Sequence, residues 1–485
     1  REAHGKVALT KELETQLLIK TLLQDPAVEF AEPNIQVHAT GISIPTDEFY
    51  QYQWHYDSID LPEAWEKAMG EVQSIVAVLD TGISDHPDLD AVLTGDGYDF
   101  VNGSISGDGD GIDSDPTDPG DGGADNPLCA TRSPDERSGF HGTHVAGTVA
   151  AAHNGEGVVG VTKYSKVMDV RVLGCGGGSN YDIVQGILYA AGLPNDSGTV
   201  PERRADVINL SLGSSTPSQL QQSAISDAIA EGVIVVAAAG NEGNDDFFYP
   251  ASFPNVISVA ATDLNANRAP YSTFNSQVDI AAPGGDFARD DNGDGYGDAV
   301  LSTVTRVEDG DVLHRYGFKQ GTSMAAPHVS GVLALMRYGE LSPATVNDLL
   351  VSGALTVDIG APGRDDEFGF GLLSASKAID AGLELGGNVI PDNPFPSVTT
   401  ESLNFGQVTP QLSFELFNGG NGELLVESVS SSSSVISIIS PNSADGLGQY
   451  IVQIDRAGLA EGTYRHTINI TTNSQSRPSV TISVM

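Results

Sequence analysis

Ser323 stands in Gly321-Thr-Ser-Met-Ala-Ala-Pro-His-Val-Ser-Gly331, where a turn of small residues leads into an apolar helical stretch. That context places one hydroxyl at a helix N-terminus, where unpaired N–H groups and the positive end of the dipole favour negative charge. A serine so placed can attack a carbonyl while its own N–H steadies the oxyanion that forms. The chemistry also needs a base and a group that orients the base. His141 opens His-Gly-Thr-His-Val-Ala-Gly-Thr-Val-Ala, and Asp80 ends Ser-Ile-Val-Ala-Val-Leu-Asp. In such a set the serine Oγ attacks, and the imidazole takes its proton and later gives it to the leaving group. The carboxylate fixes the tautomer and stabilises the imidazolium. These residues point to acyl transfer.

Three kinds of element must position them. From about residue 70 to 340, short apolar runs (75–79, 167–173, 206–211, 233–239, 256–261) are bounded by turn residues. Helical stretches lie between them near 141–152, 181–191 and 217–231. Strands alternating with helices predict an α/β fold with a largely parallel sheet flanked by helices. Ligands gather at the carboxyl ends of strands in such folds. Asp80 directly follows one apolar run and Asn241 another, and the Ser323 helix supplies a third wall.

The two ends of the chain read differently. Leu13 to Leu23 is an amphipathic helical pattern, followed by a short strand pattern stopped by proline in Asp25-Pro-Ala-Val-Glu-Phe-Ala-Glu-Pro. Gly386 to Pro396 is rich in Gly and Pro and reads as a linker, assigned to 386–397. Beyond it, β runs start at Leu403, Leu412, Leu424, Val435, Tyr450 and His466, which predicts an antiparallel sandwich over 398–485. Ser430 to Ser434 reads as one exposed turn.

The 485 residues carry 23 basic against 65 acidic side chains, a net charge of −42. That excludes nucleic acid and an anionic membrane surface as natural partners. No apolar run reaches the ~18 residues of a membrane helix. Arg1 is an unusual translation start, so an export signal removed upstream is expected. The two cysteines, Cys129 and Cys175, allow one pairing, which would close a loop around His141 worth ~4 kcal/mol in chain entropy. A disulfide and an oxidising compartment are the expectation. Two buried free thiols are the alternative, and no nearby ligand pattern completes a two-cysteine metal site.

The order Asp, His, Ser, with Asn241 in Ala-Ala-Ala-Gly-Asn-Glu-Gly, resembles the motifs of the subtilases over roughly residues 20–385. The resemblance implies a catalytic domain over 43–385, a triad of Asp80, His141 and Ser323, and an Asn241 amide that completes the oxyanion hole. Thr322 is expected to support that site. An extended peptide would pair with Ser211, Leu212 and Gly213 on one side and with Gly177, Gly178 and Ser179 on the other, by strand addition. Glu242 lies near the mouth of the implied primary pocket. It either favours a basic or polar side chain there or is a solvated loop carboxylate. Phe247 and Phe248 fall where the family often has small residues, which leaves the depth of that pocket open. Residues 1–42 resemble the second half of a subtilase propeptide, which acts as folding template and product-like inhibitor. A mature start near Gly41 to Pro45 is implied.

Calcium takes six to eight oxygen ligands. Asp290, Asn292, Asp294 and Asp298 match positions 1, 3, 5 and 9 of an EF-hand-type loop, although Leu301 stands where the bidentate Glu belongs. A second loop holds Asp108, Asp110, Asp113, Asp115 and Asp121, whose repulsion calcium would relieve. A disordered acidic loop is the other reading. The resemblance implies a third site at Asp47, Asp88 and Asn154. Two or three structural calcium ions are therefore expected. His144 follows His141 by three residues, but no Glu completes a zinc motif, and His328 reads as a packed helix residue.

The function so implied is a secreted, monomeric, calcium-binding serine endopeptidase made as a propeptide-inhibited zymogen, acting on protein or peptide substrates. A catalytically silent fold serving as a binding or scaffold protein is the alternative. For the C-terminal sandwich, binding of substrate or a surface polymer stands beside a role in secretion or stability.

Overall fold

The computed structural model describes residues 44–485, except 69–72, 104, 110, 121–138, 309–310, 337–340, 386–393, 395, 399–401, 404, 406–409, 419–422, 442, 458, 460–463, 475–478 and 485. The expected propeptide segment, 1–42, lies outside the described residues.

Four runs of β-branched and apolar residues form the centre of the large sheet: β1 (Ile75–Asp80), β4 (Val207–Leu210), β5 (Ile234–Ala238) and β6 (Ile257–Thr262). Every residue in them is buried, as expected of a parallel sheet covered on both faces. Successive side chains serve opposite layers. Val76 and Val78 pack with Val145, Val149, Val329 and Leu333, whereas Ala77 and Leu79 pack with Ile183, Ile187 and Ile225.

With β2 (Tyr98–Asp99), β3 (Lys166–Arg171), β7 (Ile280–Pro283), β10 (Thr356–Val357) and β11 (Leu372–Leu373), the order is β10-β11-β7-β6-β5-β4-β1-β3-β2. All pairings are parallel except β10 with β11. From β1 the chain passes to β2 at the edge, comes back to β3 beside β1, and then crosses to place β4 on the other side of β1. The crevice at the carboxyl ends of β1 and β4 is thus a topological switch point, where ligands bind in open α/β sheets.

The helices predicted near 141–152, 181–191 and 217–231 span His141–Ala150, Asn180–Ala190 and Gln219–Ala230. Ser179 and Ser218 cap the latter two, each accepting an N–H from three residues on.

A hairpin of β8 (Val300–Glu308) and β9 (Asp311–Lys319) was not among the expected elements. Its signal is present in the sequence, because Asp309-Gly310 separates two β-prone runs.

The C-terminal part has two four-stranded sheets, with orders β12-β14-β17-β16 and β13-β19-β18-β15. Their strands are Pro396–Val398 (β12), Ser402–Leu403 (β13), Gln411–Asn418 (β14), Val426–Ser431 (β15), Ile436–Ile439 (β16), Gly448–Ile454 (β17), His466–Thr472 (β18) and Ser479–Val484 (β19). Phe405, Phe414, Tyr450, Ile468 and Ile482 lie in their common core. Three details differ from expectation. Strand β12 begins inside the segment assigned as linker, and β13 pairs parallel with β19. Ser430 and Ser431 belong to β15, pairing with Asn469 and Ile468, so the serine run is not wholly a turn.

Candidate active site

Asp80 ends β1 with its side chain buried, and both its oxygens lie within reach of His141 Nδ1, at 2.8 and 2.9 Å. Asp80 Oδ1 also accepts the Thr81 N–H at 2.8 Å. A carboxylate so held accepts a hydrogen bond from Nδ1–H of His141 and so leaves Nε2 as the basic nitrogen. His141 is the first residue of its helix, and the turn before it is crowded: a Cβ on Gly142 would lie 2.4 Å from the Gly82 carbonyl oxygen. Only glycine lets the helix start this close to β1. Thr81 Oγ1 accepts the Gly142 N–H at 3.1 Å and donates to Asp118 at 2.6 Å.

The helix Thr322–Leu335 carries Ser323 in its first turn. Pro327 lies four residues on and has no N–H, so the Ser323 carbonyl lacks its intrahelical donor. Ser211 Oγ fills that gap at 2.8 Å, and Ser323 Oγ in turn donates to the Ser211 carbonyl at 3.2 Å. Ser211 Oγ is itself held by Asn209 Nδ2 at 3.0 Å, whose Oδ1 accepts from Ser330 Oγ at 2.9 Å. The sequence reading did not single out Asn209 or Ser330. A buried asparagine inside an apolar strand was the signal available. In this arrangement the Ser323 hydroxyl is bonded to Ser211 and not to His141. Catalytic hydrogen bonds often tighten only once substrate is present.

Asn241 is fastened to the residue that precedes Ser323. Asn241 Oδ1 accepts both the backbone N–H of Thr322, at 2.8 Å, and its Oγ1, at 3.0 Å. With the oxygen so fixed, Nδ2 is turned outward and has no acceptor among the described residues. Thr322 Oγ1 also accepts the Gly240 N–H at 3.2 Å, which ties the Asn241 loop to the Ser323 helix. The N–H of Ser323, in the helix's first turn, is likewise without an acceptor among the described residues.

The expected peptide edges differ in their readiness. Beyond the end of β4, Leu212 and Gly213 have unpaired backbone groups among the described residues. Gly177 does not, because its N–H and C=O are both bonded to Gly174, at 3.1 and 3.0 Å. The Ser179 hydroxyl caps a helix. On that side the Gly178 backbone groups have no partner among the described residues. Glu242 is exposed.

His144 Nε2 is shared by the Val300 and Gly317 carbonyls, at 3.1 Å each, so it fastens the His141 helix to the β8–β9 hairpin. Burial pushes its pKa well down. His328 bonds the Met324 carbonyl and His55, at 2.8 and 2.7 Å. Both are packed, as the sequence implied.

Of the expected metal ligands, Asp47, Asp88 and Asn154 come together. Asp47 Oδ1 accepts the N–H groups of Asn154 and Gly155, at 3.0 and 2.9 Å, and Asp88 Oδ1 accepts Asn154 Nδ2 at 3.2 Å. Burial raises the Asp47 pKa to about 6 against those N–H bonds. In the 290–298 loop, Asn292 Oδ1 and Asp294 Oδ1 accept N–H groups two residues on, at 2.9 and 2.8 Å. Asp290 begins that loop, and Asp298, 1% exposed, keeps one carboxylate oxygen buried without a partner. The loop that holds Asp108, Asp113 and Asp115 is arranged otherwise. Asp108 shares the buried Arg171 guanidinium with Asp99, so its counter-ion is a side chain. Asp113 and Asp115 form successive turns, and Asp110 and Asp121 lie outside the described residues. Among the described residues, no three acidic, histidine or cysteine side chains are grouped to hold a metal. Cys175 is not a free thiol, and Cys129 lies outside the described residues.

A family model described as the subtilase family matches residues 72–371. The chain belongs to the subtilase family. This subtilase is 38% identical over 389 residues to an extracellular basic protease of Dichelobacter nodosus, covering 76% of this chain and 61% of that one. It is 38% identical over 381 residues to an extracellular protease of Xanthomonas campestris pv. campestris, covering 76% and 62%. The chain thus spans about three fifths of the length of these two relatives. An alkaline protease of Alkalihalobacillus alcalophilus is 34% identical over 361 residues, 74% of this chain and 76% of its own length. Among solved structures, a protease from Pseudoalteromonas arctica superposes with a TM-score of 0.62 at 40% identity, covering 70% of this chain and all of its own.

Proposed function

We propose that this subtilase is an extracellular serine endopeptidase that cleaves peptide bonds through an acyl-enzyme. What supports the reading is the Asp80–His141 hydrogen bond at the end of β1, together with the Asn241 Oδ1 bonds to Thr322, the residue before Ser323. Ser323 Oγ attacks the scissile carbonyl as His141 Nε2 takes its proton. The oxyanion settles on Ser323 N–H and Asn241 Nδ2. His141 then protonates the leaving amine, water enters, and the same steps in reverse free Ser323. The free edge at Leu212 and Gly213 favours an extended peptide, whose backbone supplies most of the binding. Relatives named as extracellular proteases support export, and among the described residues no helix is long and apolar enough to cross a membrane.

Calcium binding is part of the proposal. Asp47, Asp88 and Asn154 would hold one ion, and Asp290, Asn292, Asp294 and Asp298 a second. The orphaned, buried oxygen of Asp298 fits a hard cation. Such ions would stabilise the fold, and the residues that do the chemistry need none. A Cys129–Cys175 disulfide and a 1–42 propeptide that inhibits the monomeric enzyme complete the proposal.

One observation favours the silent-scaffold alternative, namely the Ser323 hydroxyl turned to Ser211. Rotamer exchange of a partly exposed side chain takes only ps–ns, so substrate can redirect it. Hydrolysis of unfolded casein, followed for the protein and its Ser323→Ala variant after removal of residues before Pro45, tests the reading. Cleavage by the first and not the second is expected. No cleavage by either would favour the scaffold.

A further inference from the structure

Lys319 ends β9, four residues before Ser323, and its ammonium donates at 2.7 Å to the carbonyl of Gly139, two residues before His141. One side chain joins the approach to the Ser323 helix with the approach to the His141 helix.

The turn it holds is strained. Phe140, between Gly139 and His141, sits in the left-handed region with φ +34°, which bulky residues avoid. Its ring is buried, and a Cβ on Gly120 would lie 3.1 Å from Phe140 Cζ. Such a backbone persists only where its surroundings over-determine it. The packed ring holds the turn from one side, and Lys319 holds the preceding carbonyl.

The hairpin also grips the helix behind the turn. Thr303 Oγ1 donates to the Thr143 carbonyl at 2.8 Å, and Ser302 Oγ to the His144 carbonyl at 2.9 Å. A Cβ on Gly147 would lie 2.1 Å from Thr303 Oγ1, so the helix lies directly on β8. Burial, and then the Lys319 charge, lower the His144 pKa, which places the ammonium close to this helix. Beyond Lys319, the Gly321 N–H donates to the Gly284 carbonyl at 3.1 Å and fixes the chain as it enters Thr322–Leu335.

Asp80 holds His141 by a direct hydrogen bond, whereas the Ser323 hydroxyl is bonded to Ser211. Something other than a bond between base and nucleophile must therefore fix their separation. We propose that Lys319 is a positioning residue, whose hold on Gly139 keeps the Phe140 turn in place and so sets His141 against Ser323. The inference rests on the endopeptidase reading of the site.

The test is kcat and KM per folded chain, after removal of the residues before Pro45. The substrate is whichever of succinyl-Ala-Ala-Pro-Ala, -Phe and -Lys p-nitroanilide wild type cleaves fastest. Lys319→Met keeps the apolar stem and removes the donor. It should lower kcat by about 10- to 100-fold, the cost of a displacement near 1 Å, and leave KM within about twofold. Lys319→Arg, which keeps a donor, should recover most of that loss. Arg315→Met, the same kind of change at an exposed position of β9, should keep kcat. In a His141→Ala background, Lys319→Met should alter the residual rate by less than about twofold, because residues that act as a unit are not additive. An unchanged kcat, a rise in KM alone, or an equal loss in Arg315→Met overturns the proposal. The same loss with and without His141 also overturns it. If Lys319→Met does not fold, Lys319→Gln, whose shorter side chain falls short of Gly139, is judged by the same outcomes. If wild type cleaves neither the anilides nor casein, the endopeptidase reading fails and this inference falls with it.

Discussion

Ser211 and Ser323 exchange two hydrogen bonds, Oγ to carbonyl in each direction, at 2.8 and 3.2 Å. The first exists because Pro327 cannot donate to the Ser323 carbonyl. Ser211→Ala should leave that carbonyl unsatisfied and lower stability by about 1–3 kcal/mol in urea unfolding. Pro327→Ala supplies an N–H to the same carbonyl. The two substitutions together should therefore cost less than their sum, with a coupling of about 0.5–3 kcal/mol. Strict additivity would contradict the link.

Asn241 is oriented through its oxygen, which leaves its Nδ2 to donate. Asn241→Ala should lower kcat by about 10²–10³ with a much smaller change in KM, the loss measured for this donor in another subtilase. Thr322→Val removes the hydroxyl and keeps the backbone N–H, so a smaller fall in kcat is expected. A rise in KM alone would place Asn241 in ground-state binding.

Part of this arrangement was legible in the chain. Asp80 ends a strand run and His141 opens a helix, and the structure joins the two side chains. The Asn209–Ser330 support was not legible, because it joins a strand interior to a helix interior 121 residues apart. Gly177 shows the opposite failure. The sequence cannot reveal that its backbone is already occupied by Gly174, since that depends on how the loop closes. Arg171 was missed for a related reason. Its neighbours Asp99 and Asp108 are distant in sequence and meet only through β2 and the following loop.

Calcium should raise stability by mass action, by about 2.7 kcal/mol when free ion reaches 100 times its Kd. Thermal unfolding in calcium and in EGTA measures it. Asp298→Asn should remove part of the difference and Asp47→Asn another part. An identical Tm in both conditions would contradict the proposal.

His328 and His153 are buried, and burial lowers their pKa values to about 4 and about 3. The folded state thus resists protonation that the unfolded chain accepts near pH 6.5. Stability is full above that value and falls as pH drops toward the folded values, by on the order of 3 kcal/mol for His328 alone at 1.36 kcal/mol per pKa unit. Urea midpoints should decline between pH 6.5 and 4, with proton uptake on unfolding. A flat midpoint over that window would contradict it.

The most direct test of the central claim is fluorophosphonate labelling read by intact mass and peptide mapping, before and after removal of the residues that precede Pro45. The account predicts one adduct per chain, on Ser323, strong after removal and weak before, and absent in His141→Ala. A folded protein that stays unlabelled in both states, or is labelled elsewhere, would contradict it.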